Sequence, residues 1–93
     1  MKSFSVILPT LNEEGHITQL INEIVDCFNK ENIVFEIIVV DDNSTDGTIG
    51  KIRKLKNNSS IDLSLFVRNE KKNLAKSINL GIKNSKYEYV IWM

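Results

Sequence analysis

The spacing of the apolar residues changes repeatedly along this chain of 93 residues, and it restricts the fold more than any other feature. Residues 4–8 form a short β-rich run that stops at Pro9, which cannot donate to a sheet ladder. The next apolar residues recur at helical spacing and predict an amphipathic helix; they are Ile17, Leu20, Ile21, Ile24, Val25 and Phe28. The alternation continues to the last residue, so the sequence predicts the element order βαβαβαβ.

The second apolar run, residues 35–40, predicts a strand that is covered on both faces. All its residues except Glu36 are apolar, which is typical of a parallel sheet between layers of helices. Two further strands are predicted at residues 61–67 and 87–93, each preceded by a helical stripe. Asn12 is the predicted N-cap of the first helix, with Glu13 and Glu14 in its first turn.

Each connection between consecutive strands is longer than the dozen residues that a parallel crossover needs. Because such crossovers are right-handed, few topologies remain. We predict a single α/β domain over residues 1–93, with a mainly parallel sheet in the order 3-2-1-4, as in one mononucleotide-binding half of a doubly wound fold. A ligand would then bind beyond the carboxyl ends of the strands, between residues 9–13, 41–46 and 68–73.

Composition excludes several classes of protein. Twelve basic residues balance twelve acidic ones, so the chain lacks the positive surplus that nonspecific nucleic-acid binding needs, and we expect no nucleic-acid partner. No apolar run approaches the roughly 20 residues of a membrane-spanning helix. The single cysteine, Cys27, excludes an internal disulfide, and no signal peptide is visible. We therefore expect a cytoplasmic protein.

Two polar segments fall at the predicted crevice. In residues 9–14, Pro9 frees the chain from the sheet, so that the following backbone can face a ligand. In residues 39–48, adjacent carboxylates at a strand end can accept hydrogen bonds from a base or a ribose, or hold a metal. Residues 44–47 have the composition of an ordinary helix start. A helix N-cap needs only one carboxylate, and Asp41 and Asp42 are adjacent. We therefore expect Asp42 to have a role other than capping.

These segments together resemble the inverting glycosyltransferase family 2 of GT-A fold. The likeness is carried by residues 6–14 (VILPTLNEE), 36–48 (EIIVVDDNSTDGT), 68–69, 73–82 (NLAKSINLGI) and 89–93, and so covers essentially the whole chain. Within the family it is greatest to the polyprenol-phosphate sugar transferases of the dolichyl-phosphate mannosyltransferase type. The resemblance implies the Rossmann-like, donor-binding half of a GT-A fold.

The resemblance also implies roles for residues at the crevice. Pro9, Leu11 and Glu13 would border the base and ribose of a nucleotide-sugar donor, while Asp42 would hydrogen-bond the base with Val40 beside it. The family often has an aromatic residue where Leu11 stands and usually has glycine at the position of Asn73. Arg68, at the crevice rim, is a candidate for contact with the phosphates because of its charge.

The same resemblance implies that several functional groups lie outside this sequence. The family binds Mg2+ or Mn2+ through an Asp-x-Asp motif that would follow Met93, so no metal ligand is expected within residues 1–93. The catalytic base and the acceptor site, for a polyprenyl phosphate or a glycan, also come later in the family. A polyprenyl-phosphate acceptor would place the whole protein at the cytoplasmic face of a membrane. Residues 87–93 would form an exposed edge strand, for which we predict self-association.

Three other functions are weaker fits to the sequence. A noncatalytic nucleotide-binding module would have the same pocket and stays an alternative. A phospho-acceptor receiver domain is disfavoured because its paired acids follow the first strand, whereas Asp41 and Asp42 follow the second. A dinucleotide oxidoreductase is disfavoured because no G-x-G-x-x-G motif follows the first strand.

Overall fold

Four parallel strands form a single sheet in the order β3-β2-β1-β4, as the sequence predicted. The computed structural model describes residues 2–93. Its elements are β1 (Ser3–Thr10), α1 (Ile17–Lys30), β2 (Val34–Asp41), α2 (Thr48–Asn58), β3 (Leu63–Val67), α3 (Leu74–Lys83) and β4 (Tyr89–Trp92). The α/β fold class and the strand order are therefore confirmed.

The helices divide between the two faces of the sheet. The larger core lies against α1 and α2 and is made of Val6, Leu8, Ile17, Ile21, Ile24, Ile37, Val39, Ile52 and Leu63. On the other face, Ile7, Ile38 and Val40 are fully buried with Phe66 and Leu80 packed against them. Alternate residues of β2 thus enter both cores, which explains why the apolar run at 35–40 has no polar alternation.

Glu36, the one charged residue in that run, has a structural role. It is only 4% exposed, and its Oε2 accepts hydrogen bonds from the Ser5 hydroxyl at 2.5 Å and from the Lys86 backbone N–H at 2.7 Å. The Tyr87 backbone N–H in turn donates to the Ser5 hydroxyl. The carboxylate therefore fixes the turn between α3 and β4 to the amino end of the sheet, far from the predicted crevice.

Helix α3 approaches the sheet closely at Gly81. A Cβ atom at this position would lie 2.6 Å from Cγ2 of Ile7, a side chain that is fully buried in β1. Carbon atoms cannot approach so closely without displacing the helix or the strand. Glycine at position 81 therefore sets the distance between α3 and the sheet.

We expect Gly81→Ala to destabilise the fold by up to about 2 kcal/mol, because the overpacking cost of about 1–3 kcal/mol outweighs the gain in helix propensity of about 1 kcal/mol. Gly50→Ala in α2 is the matched control, since a Cβ there meets no atom within 4 Å. The control should gain about 0.5–1 kcal/mol. Urea denaturation of both variants measures the difference, and equal stabilisation of both would show that α3 can move away from Ile7.

Several boundaries differ from the sequence-based predictions. Strand β1 continues through Pro9, which pairs with Val40, to Thr10, so Pro9 does not release the chain from the sheet as the sequence suggested. Strand β3 begins at Leu63, two residues later than predicted.

Helix α1 begins at Ile17 after a turn, so Asn12 is not its N-cap; the cap position is His16, without a side-chain hydrogen bond. Strand β4 is shorter than predicted, although Met93 still donates its backbone N–H to Ile7. Within residues 2–93, no helix is long and apolar enough to cross a membrane.

Strand β4 lies at the edge of the sheet, beside β1. Its side chains are largely open to solvent, with Trp92 55% exposed and Tyr89 40% exposed. Self-association through residues 87–93 stays a prediction, which sedimentation of the purified chain would test.

Candidate functional site

Three loops come together at the carboxyl edge of the sheet. They follow β1, β2 and β3 and comprise residues 11–16, 42–47 and 68–73. Because all the strands are parallel, these loops leave the sheet on the same side, at the point where the strand order reverses between β1 and β4. The structure thus brings together the segments that the sequence placed at the crevice.

Asp41 is fully buried and connects two of these loops. Its Oδ1 accepts hydrogen bonds from the Thr10 and Ser44 hydroxyls, both at 2.6 Å, and its Oδ2 accepts from the Ser44 backbone N–H at 2.6 Å. These three donors satisfy a carboxylate that would otherwise be costly to bury. Asp41 therefore holds the end of β1 and the start of the second loop together, and its oxygens are already occupied by the fold.

Asn12 extends this connection between the first and second loops. Its φ of 53° is left-handed, which asparagine tolerates better than most residues. Its Oδ1 accepts a hydrogen bond from the Thr45 backbone N–H at 2.9 Å, and its own N–H donates to the Ser44 hydroxyl at 2.8 Å. The sequence had assigned Asn12 to the start of α1; instead it fixes one loop to the other.

The start of α2 completes the link. Thr48 is fully buried, its hydroxyl donates to Asp46, and it accepts from the Glu13 backbone N–H at 2.8 Å. The hydrogen bond from Thr48 holds the pKa of Asp46 below its ordinary value of 3.8. Because the folded-state pKa is lowered, this hydrogen bond is fully retained above the ordinary pKa of 3.8 and is lost as the pH falls through the lowered pKa. The sequence suggested Ser44, Thr45 or Asp46 as the cap of α2, but the cap position is Gly47, without a side-chain hydrogen bond.

Asp42 has partners different from those of Asp41. Its Oδ1 lies 2.5 Å from Nη1 of Arg68, and its Oδ2 accepts the Asn73 backbone N–H at 3.0 Å. The Asp42 and Arg68 side chains are only 8% and 6% exposed. The two adjacent carboxylates therefore have separate partners. Asp41 binds residues of the first two loops, and Asp42 binds residues of the third loop.

The third loop folds around the Arg68 guanidinium. Besides Asp42, the guanidinium approaches the backbone oxygens of Lys71 and Asn73 and the Ser77 hydroxyl at 3.4–3.5 Å. Asn73 then begins α3, with its side-chain oxygen accepting the Lys76 backbone N–H at 3.0 Å. Sequence analysis placed Arg68 at the rim of the crevice and missed its pairing with Asp42, because their separation of 26 residues carries no local signal.

The other predicted site residues differ in their access to solvent. Pro9 and Leu11 are half-buried at the edge and Glu13 is exposed, whereas Val40 is fully buried in the core beneath α3. Pro9 and Glu13 line a cavity of about 130 Å³ together with His16 and Met93. A ligand pocket usually measures about 300–1,000 Å³, so this cavity is smaller than a typical ligand site.

The described residues do not fit a divalent metal. Within residues 2–93 there is no group of three or more His, Cys, Asp or Glu side chains that could hold an ion. Asp41 accepts three hydrogen bonds and Asp42 is paired with a cation, so neither carboxylate is free to act as a strong ligand.

The sequence of this chain matches a known protein family. The family described as glycosyl transferase family 2 matches residues 5–93. The chain belongs to glycosyl transferase family 2. This membership confirms the resemblance seen in the sequence.

Two relatives of this chain are named glycosyltransferases. It is 36% identical to the poly(ribitol-phosphate) beta-N-acetylglucosaminyltransferase TarS of Staphylococcus aureus, over all of this chain and 16% of TarS. It is 35% identical to a dolichyl N-acetyl-alpha-D-glucosaminyl phosphate 3-beta-D-2,3-diacetamido-2,3-dideoxy-beta-D-glucuronosyltransferase of Methanococcus voltae, over 98% of this chain and 28% of the relative. The chain thus spans less than a third of the length of either protein.

Solved structures of family members share the fold. The crystal structure of TarS residues 1–349 superposes with a TM-score of 0.82, covering all of this chain and 27% of that one. The same TarS segment has been solved with UDP, at a TM-score of 0.77. The mannosyltransferase PcManGT of Pyrobaculum calidifontis, solved with GDP-Man and Mn2+, is 30% identical over 94% of this chain and 25% of its own length, at a TM-score of 0.72. These similarities confirm the GT-A architecture.

Proposed function

We propose that this chain is the donor-nucleotide half of an inverting glycosyltransferase, which transfers a sugar from a nucleoside diphosphate to an acceptor. The observation that carries the proposal is the carboxylate of Asp42, held nearly buried at the switch point of the sheet by Arg68 and Asn73. Family membership and the UDP and GDP-Man complexes of two relatives support a nucleotide ligand.

The base would be recognised by Asp42. An ionised carboxylate offers about four lone-pair positions, and the Arg68 and Asn73 N–H groups occupy two of them. The remaining positions can accept N–H groups from a nucleobase. This arrangement favours a base with an N–H at its hydrogen-bonding edge, as uracil and guanine have.

Pro9, Leu11 and Glu13 would complete the nucleoside contacts. Pro9 and Leu11 present half-buried apolar surface at the end of β1, against which a base can pack. Glu13 has an exposed carboxylate on the same loop, which can accept hydrogen bonds from ribose hydroxyls. Val40 supports the site from the core, because its side chain is fully buried.

The acceptor we propose is a polyprenyl phosphate, with a phosphate-containing glycan as the other class. The support comes from the relatives, since one is named for a dolichyl phosphate and the other for a poly(ribitol-phosphate). A divalent ion, Mg2+ or Mn2+, would neutralise charge on the leaving diphosphate. Its ligands, the catalytic base and the acceptor site would come from parts of the protein other than residues 2–93.

Nucleotide binding by Asp42→Asn tests the proposal. Asparagine keeps the size of the side chain but loses an acceptor oxygen and the charge, so we expect UDP or GDP to bind about tenfold to a hundredfold more weakly. Asp26→Asn, an exposed residue of α1, is the matched control and should bind like the parent. Isothermal titration calorimetry gives the affinities, and equal binding by Asp42→Asn and the parent would remove Asp42 from the site.

A further inference from the structure

We infer that Arg68 is a positioning residue of the nucleotide site, which acts by orienting the Asp42 carboxylate and does not contact the donor phosphates. The inference rests on the proposed function, because it assigns a role within that site. It also departs from the expectation raised by the sequence, where a cation at the rim of the crevice suggested a phosphate ligand.

The contacts of Arg68 argue against contact with a phosphate. Its N–H groups already face oxygen atoms of Asp42, Lys71, Asn73 and Ser77. Asp42 is buried to a similar degree but accepts only two hydrogen bonds, so its carboxylate keeps free lone-pair positions. A phosphate could reach the guanidinium only by displacing the partners of Arg68, the nearest of which is a carboxylate at 2.5 Å. Lys71 and Lys72, by contrast, are exposed on the same loop. They are the cations of this loop that a diphosphate can reach without disrupting the fold.

The contacts of Asp42 show what Arg68 does instead. One carboxylate oxygen binds Nη1 of Arg68 and the other binds the Asn73 backbone N–H, so both oxygens are held from the side of the third loop. With two directions fixed, the carboxylate cannot rotate, and its free lone pairs keep one orientation. An arginine is suited to this role because its planar guanidinium is rigid, whereas a lysine is a point charge on a flexible chain.

The same contacts join Asp42 to α3. Asn73 donates its backbone N–H to Asp42 and caps the helix with its side chain, while Ser77, one turn later and 1% exposed, faces Arg68. The end of β2, the end of β3 and the first turn of α3 therefore form one connected unit. Loss of Arg68 would release the Asp42 carboxylate and, with it, the Asn73 N–H.

This release can be measured without any ligand. Hydrogen exchange followed by NMR should show the Asn73 amide exchanging at least about tenfold faster in Arg68→Met than in the parent, because its acceptor is no longer fixed. Arg68→Lys keeps the positive charge and serves as the second variant if Arg68→Met folds poorly; it should also show faster exchange. Lys72→Met, the removal of an exposed cation from the same loop, is the matched control and should leave this amide unchanged.

The affinity for UDP then distinguishes a positioning role of Arg68 from a direct contact with the phosphates. We expect Arg68→Lys to weaken UDP binding about tenfold in the parent background and to have little further effect when Asp42 is already asparagine, since the arginine acts through that carboxylate. Equal losses in both backgrounds would overturn the inference, because a direct phosphate contact is independent of Asp42. So would unchanged UDP affinity in Arg68→Lys when the parent binds normally. If the parent itself bound neither UDP nor GDP, the proposed function would fail, and Arg68 would serve folding alone.

Discussion

Asp42→Ala should destabilise the folded chain by about 3–5 kcal/mol, because it leaves the Arg68 guanidinium buried without its counter-charge. The side chain of Arg68 is 6% exposed, so water cannot replace the lost carboxylate at its Nη1. The Asn73 N–H would lose its acceptor as well. A domain of this size has a total stability of about 5–15 kcal/mol, so the loss would remove a large part of it.

Urea denaturation measures this loss, and a double variant isolates its cause. Replacing both partners, as Asp42→Leu with Arg68→Met, removes the charges together and should recover most of the stability, as apolar replacements of buried ion pairs often do. If Asp42→Ala cost less than about 1 kcal/mol, the pair would behave as a solvent-screened surface ion pair. That result would contradict the burial seen in the structure.

Asp41→Ala should also be strongly destabilising, by about 2–4 kcal/mol, for a different reason. It removes the shared acceptor of the Thr10 hydroxyl, the Ser44 hydroxyl and the Ser44 backbone N–H, and a buried donor left without a partner costs about 1–3 kcal/mol. Asp26→Ala, in an exposed part of α1, should stay within about 0.5 kcal/mol of the parent.

Thermal or urea denaturation of these two variants provides the measurement. Asp41→Asn is a useful third variant, because it keeps one acceptor oxygen and should fall between the parent and Asp41→Ala. A loss for Asp41→Ala no larger than that of the control would mean that Thr10 and Ser44 find other acceptors. The first two loops would then be held by their remaining hydrogen bonds, among them those of Asn12, Thr48 and Asp46.

The fold could be predicted from sequence because its signals are local and repeat. The helical stripe beginning at Ile17 and the uninterrupted apolar run of β2 each identify an element and its surroundings from neighbouring residues. Right-handed crossovers then leave little choice of topology. The function of Glu36 was not visible, since its partners Ser5 and Lys86 lie 31 and 50 residues away.

The loops that surround the candidate site were predicted from the sequence, but the contacts between them were not. The sequence singled out Asp42 over Asp41; in the structure Asp41 accepts hydrogen bonds from Thr10 and Ser44, and Asp42 is paired with Arg68. Asn12, however, has the composition of an N-cap, and only the left-handed backbone and the neighbouring loop reveal its role. A sequence pattern reports which residues follow a strand, but the packing of three loops decides which of them touch.

An NMR titration tests most directly whether a nucleotide binds at the carboxyl edge of the sheet. Amide shifts of the labelled chain would be recorded while UDP, and separately GDP, is added up to millimolar concentration. We expect perturbations concentrated at residues 11–13, at Asp42 and in the loop 68–73. Perturbations confined to the opposite edge, around Glu36 and Lys86, or no saturable change with either nucleotide, would contradict it.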